Sequence, residues 1–106
     1  MAALHLVDRE GNMRATGAGP REYESVGWAL SEATLQAVVG GRVYFHHKQT
    51  EPSFMGGDVL GFREVTEVPR PPRKPRRFAI TFVADPEGVN VRTDREGWPN
   101  FFKFVP

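Results

Sequence analysis

Phe78, Ile80 and Phe82 alternate with Ala79, Thr81 and Val83, the clearest period-two pattern in the chain. Successive side chains of an extended segment leave on opposite faces, so this run commits one face to bulky apolar groups and cannot serve a helix. A strand of this kind needs partners, and the surrounding sequence supplies them. Asp85-Pro86-Glu87-Gly88 carries the residues of a tight turn, and Val89 and Val91 read as the returning strand of a hairpin.

The rest of the chain is punctuated in the same way. Leu4 to Val7 reads as a first strand, stopped by Asp8-Arg9-Glu10-Gly11-Asn12, and Met13 to Pro20 as a glycine-rich loop. Tyr23, Val26, Trp28 and Leu30 form a second extended segment that Gly27 interrupts. One helix is expected after it. Ser31 suits the N-cap, Glu32 the positive end of the dipole, and Gly40 the stop, with Leu35, Val38 and Val39 as the apolar stripe. Val43, Tyr44 and Phe45 open a strand that runs to Lys48, and Gln49 to Gly57 reads as a loop. Val59, Leu60 and Phe62 are apolar without alternation, which predicts burial on both faces with a bulge or close approach at Gly61. Val65 and Val68 extend that strand, and the last element spans Phe101 to Val105.

The predicted class is therefore mainly β (α+β): a small curved sheet or partly open β-barrel of five to seven strands with one short helix. Residues 1–106 fit one domain, since a chain this short buries about two-thirds of its unfolded surface in one modest core. Hydrophobic residues at 40% and charged residues at 25% exclude whole-chain disorder. The lack of cysteine excludes disulfides, thiolate metal sites and thiol nucleophiles. The apolar run from Phe78 to Ala84 falls far short of the ~20 residues a membrane helix needs, and Met1-Ala2-Ala3-Leu4-His5 lacks the pattern of a signal peptide. A cytoplasmic protein that does not engage membranes is the expectation.

Net charge is +1, yet Pro69-Arg70-Pro71-Pro72-Arg73-Lys74-Pro75-Arg76-Arg77 concentrates five cations in one arm. Prolines favour an extended path, and arginines along it suit a phosphate backbone. The same arm also reads as a solvated hairpin loop, or as a proline-rich ligand for another domain.

Trp28 before the capped helix, Gly40-Gly41-Arg42-Val43-Tyr44-Phe45-His46, Glu51-Pro52-Ser53-Phe54-Met55-Gly56-Gly57, Gly61-Phe62 and Glu96-Gly97-Trp98 together resemble a group of small uncharacterised bacterial proteins. These share a GG-x-VYFH, EPSF-x-GG and EGW pattern over residues 23 to 98, and the resemblance implies no activity. In layout the chain is similar to the PUA-like barrels, including EVE and ASCH domains. That likeness implies binding of RNA or modified bases, and hydrolysis of modified nucleosides in some ASCH members through Lys, Thr and Glu. Lys48 and Thr50 lie near each other, but no residue-by-residue match transfers a catalytic role.

Several side chains are candidates for chemistry. His46 and His47 are successive strand residues pointing to opposite faces, so they do not grip one metal, and His5 adds no metal-ligand spacing. Each reads as a histidine held by local hydrogen bonds or as one facing a ligand. Ser53 has no nucleophile frame around it, and the Gly56-Gly57 pair suits a turn or a close backbone approach. Trp28 and Trp98 are core anchors or, with Tyr44 and Phe54, walls on which a base stacks.

Three functions follow. The leading expectation is a non-catalytic module recognising RNA, DNA or a modified nucleobase. In it Arg70, Arg73, Lys74, Arg76 and Arg77 contact phosphates; Trp28, Tyr44, Phe54 and Trp98 line the pocket; His46, His47 and Glu51 read polar edges. The alternatives are a small nucleoside-acting hydrolase using His47, Lys48 and Glu51, and a structural or protein-interaction domain. No metal or cofactor is implied.

Overall fold

The computed structural model describes residues 2–8, 11, 13–65, 77–93, 98 and 101–106. Seven strands form one sheet: β1 (Ala3–Val7), β2 (Met13–Ala15), β3 (Glu22–Trp28), β4 (Arg42–His46), β5 (Ser53–Glu64), β6 (Phe78–Ala84) and β7 (Phe102–Val105). Their spatial order is β2-β3-β6-β5-β4-β1-β7. Among the described residues only β1 and β4 run parallel, so the sheet is mixed. It is not closed: β2 and β7 are its two edges among the described residues. The class is mainly β with one short helix, α1 (Glu32–Val38), and the described strands do not form the closed ring of a PUA-like barrel.

Alternation sorts the side chains. Leu4, Leu6, Val43, Phe45, Val59, Phe78, Ile80 and Phe82 share one face and are buried there. Leu35 and Val38 of α1 join the same core, and the Ser31 hydroxyl accepts from the Thr34 N–H at 3.1 Å to cap the helix. Val39, expected in the apolar stripe, is the C-cap residue and is 43% exposed. The helix ends one residue too early for Val39 to turn inward, and Gly40 continues the chain at φ 80°.

Two bulges carry the core across irregular stretches. Ser25 pairs with Ile80 and Trp28 with Phe78, so β3 uses three residues where β6 uses two. Gly27 takes φ 96° there, a conformation that side chains resist. The extra residue turns both Ser25 and Trp28 inward, and the indole N–H donates to the Ser25 hydroxyl at 2.8 Å. On β5, Val59 pairs with Phe82 and Phe62 with Ile80, the register shifting between Val59 and Gly61. The expectation of burial on both faces is thereby corrected: Leu60 is the extra residue and is 50% exposed, while Val59 and Phe62 both face the core.

Three further expectations change. Met13–Ala15 forms the edge strand β2 rather than loop. Ser53–Gly57, read as loop, is the first part of β5. Pro86–Gly88 is one turn of 3-10 helix, so the stretch after β6 is no simple hairpin. Glycine explains how β5 persists there: a side chain on Gly88 would collide with the Gly56 backbone. The arm residues 66–76 and Glu96-Gly97 lie outside the described residues. Among the described residues no helix is long and apolar enough to cross a membrane.

Candidate functional site

Ser53 builds the end of the sheet at which polar side chains collect. Its N–H donates to the Val91 carbonyl at 2.8 Å and its carbonyl accepts from the Asn90 N–H at 2.7 Å. Its hydroxyl donates to the Gly88 carbonyl at 2.7 Å and accepts from the Val91 N–H at 2.9 Å. Asn90 sits at φ 65°, where asparagine is tolerated better than most residues. The 88–91 segment is thus clamped to the start of β5. The buried Ser53 hydroxyl is occupied by two backbone groups, which is a structural assignment and not that of a nucleophile.

The clamp brings Arg92 and Thr93 to the turn after β4. Gln49, Thr50 and Glu51 line the other side of a half-open cleft of about 330 Å³. The turn is closed by the Glu51 N–H donating to the Lys48 carbonyl at 3.2 Å. Glu51 and Arg92 are exposed, carry opposite charges and line one cleft. Among the described residues neither is in an ion pair, with the other or with anything else.

Behind this turn lies a buried cluster on the face opposite the core. His5 of β1 is in register with Tyr44 of β4, and their rings stack at 4.9 Å. His5 Nδ1 and His46 Nε2 are 2.9 Å apart, and His46 Nδ1 is 2.8 Å from the Glu51 carbonyl. A carbonyl only accepts, so His46 carries its proton on Nδ1. Its Nε2 therefore accepts from the Nδ1–H of His5, which leaves the lone pair of neutral His5 on Nε2. Burial, the charge of His46 and the charge of Lys103 push His5 down to about 4. Burial also lowers His46, against the opposing pull of the Glu51 carbonyl. Both imidazoles are thus neutral at neutral pH, and the pair holds the Glu51 backbone in place.

Trp98 closes the cluster, edge-on to His46 at 5.5 Å between centroids and to His5 at 6.2 Å. Its indole N–H is buried without an acceptor among the described residues. Asp8 donates its N–H to the His46 carbonyl at 2.9 Å, and its Oδ1 accepts from the Gly11 N–H at 2.8 Å. The second oxygen, Oδ2, is buried and has no partner among the described residues.

The seven residues expected around one pocket fall into four places. Trp28 packs on the core face against Phe45 and Phe101, so it shares no pocket with Trp98. Tyr44, His46 and Trp98 form the buried cluster with His5. His47 and Phe54 stack on each other at 4.1 Å. Glu51 alone lines the cleft. Of the arm cations, Arg70, Arg73, Lys74 and Arg76 lie outside the described residues. Arg77 donates from Nη1 to the Gly27 carbonyl at 3.0 Å, which draws it back onto the bulge of β3.

His5, Gln49, Arg92 and Thr93 were not singled out by sequence as site residues. His5 alternates with Leu4 and Leu6 and so belongs to the non-core face, but its partner is 41 residues away. Among the described residues no three His, Asp or Glu side chains converge as metal ligands. Comparison with protein-family models, with curated proteins and with solved structures gives no match.

Proposed function

We propose that the protein is a non-catalytic binding module that takes a base of RNA or DNA, modified bases included, in the cleft between Gln49–Glu51 and Arg92–Thr93. The observation that carries this reading is the pair of opposite charges, Glu51 and Arg92, lining one small cleft without an ion-pair partner among the described residues. A carboxylate accepts from ring and exocyclic N–H groups, and a guanidinium fork suits a phosphate. Thr50, Thr93 and Gln49 add hydroxyl and amide groups to the same walls. In this reading Arg70, Arg73, Lys74 and Arg76 contact phosphates elsewhere on the ligand.

These four arm cations favour a polymer over a mononucleotide, whose single phosphate engages few of them. The cleft lies at the start of β5 and the arm follows its end, with the Val65 N–H donating to the Arg77 carbonyl at 2.8 Å where the arm is rooted.

Fluorescence anisotropy with a short single-stranded RNA tests the proposal. Four phosphate contacts predict a loss of roughly 50-fold in affinity when salt rises fourfold. Reversing the four arm charges to glutamate is expected to abolish that share of the salt dependence, leaving only the contribution of Arg92. Binding unchanged by that reversal removes the arm, and binding unchanged in Arg92→Ala removes the cleft.

A further inference from the structure

We infer that Glu51 makes the cleft selective for guanine, an inference that rests on the nucleobase reading above. The Glu51 side chain ends in a carboxylate. It offers two acceptor oxygens side by side and no donor, and paired charge-assisted hydrogen bonds to it are the strong ones. Unpaired bases are read on their Watson–Crick edges. Guanine alone presents two adjacent donors there, N1–H and the N2 amino group, spaced for both oxygens. Adenine places N1, an acceptor, beside its amino group, and cytosine does the same with N3. Each sets a lone pair against the second carboxylate oxygen. Uracil has a single N–H flanked by two carbonyls, which meet the same repulsion.

The position of Glu51 favours this use. Its carbonyl is held by the Nδ1–H of buried His46, and His46 is held in turn by His5. Its N–H is held by Lys48, so both backbone groups are fixed while the carboxylate has no protein partner among the described residues. A fixed backbone lowers the entropy lost when that carboxylate engages a ligand. Rejection is sharper than attraction here. A base that leaves one carboxylate oxygen facing a lone pair loses a hydrogen bond and gains a repulsion.

Titration of the full chain with GMP, IMP, AMP, CMP and UMP, followed by backbone amide shifts of residues 49–51 and 92–93, tests the inference. GMP is expected to bind at least about tenfold more tightly than the other four, a ratio in the range of one bidentate base contact. IMP is the decisive probe because it differs from GMP only in lacking the N2 amino donor. Glu51→Gln is expected to bring GMP within about threefold of AMP while the amide spectrum stays folded. Equal binding of GMP and IMP, or of all five, overturns guanine selectivity and leaves the cleft reading standing. No shift at these residues with any of the five or with a short guanine-containing single-stranded RNA overturns both. Guanosine binding as tightly as GMP leaves Glu51 in its role and removes Arg92 as the phosphate contact.

Discussion

The two faces of the sheet are built from the same strands and do opposite things. On β4, Val43 and Phe45 point into a dry core, while Arg42, Tyr44 and His46 between and beside them point to the other side. The core face is apolar and interlocked by aromatic contacts, Phe45 lying 5.0 Å from Phe82 and 6.3 Å from Trp28 between ring centroids. The second face is organised by directional contacts. Arg42 grips Asp85 through both ends of its fork, one bond at 2.8 Å. Glu24, only 12% exposed, collects Arg14 and Arg63, and His5 bonds His46. Burial stabilises the first face without fixing any particular chemistry. The polar face fixes orientations, and beyond it Glu51 and Arg92 line the cleft without an ion-pair partner among the described residues.

The comparison is sharpest when neighbours on one strand are changed. Phe45→Ala is expected to cost about 3–5 kcal/mol in urea unfolding, through lost transfer energy and a cavity. A cost under about 1 kcal/mol would show that the core face is not the main source of stability.

Acid tests the other face. His5 has a folded value of about 4 against 6.5 when unfolded, so the unfolded chain binds more protons between those values. Stability is then fully present above about 6.5 and falls as pH drops towards about 4, by on the order of 3 kcal/mol. His46 shifts in the same direction and adds to the loss. One proton on His5 Nε2 leaves both imidazole hydrogen bonds intact, so the cost is that of burying charge beside Lys103. Urea midpoints measured across this window should flatten in His5→Phe. A wild-type midpoint that does not move between these pH values contradicts the neutral pair.

Smaller effects separate the ion pairs of the second face. Asp85→Asn weakens a pair whose partners are 21% and 15% exposed, and is expected to cost about 1–2 kcal/mol. Arg14→Ala removes a guanidinium that is 59% exposed and is expected to cost under about 1 kcal/mol. The reverse ranking would mean that exposure does not govern these contacts. Glu51→Gln comes last, with a stability change within about 0.5 kcal/mol, because its exposed carboxylate has no partner among the described residues.

Much of the first face was legible in the sequence, and little of the second. The alternation of Phe78, Ile80 and Phe82, the Ser31 cap and the glycine stop at Gly40 are local signals, and each appears in the fold as expected. Val59-Leu60-Gly61-Phe62 was misread because a bulge changes parity without changing composition. The strand start at Ser53 was hidden because its pairing depends on Gly56 and Gly88 meeting backbone to backbone. The His5–His46 bond depends on a parallel β1–β4 pairing that no local pattern encodes. Arg92 and Thr93 reach the cleft only through the Ser53 clamp, which is tertiary as well. Sequence periodicity reports which side chains turn inward; it does not report which polar groups a long connection brings together.

Recognition in the cleft, as proposed, takes place beyond the polar face and leaves the core face untouched. Backbone amide shift mapping with a short guanine-containing single-stranded RNA tests it most directly. Perturbations are expected at residues 49–51 and 92–93, with Val43, Phe45, Ile80 and Phe82 unmoved. A perturbation pattern that bypasses those five positions, or that spreads through the core strands, would contradict the account.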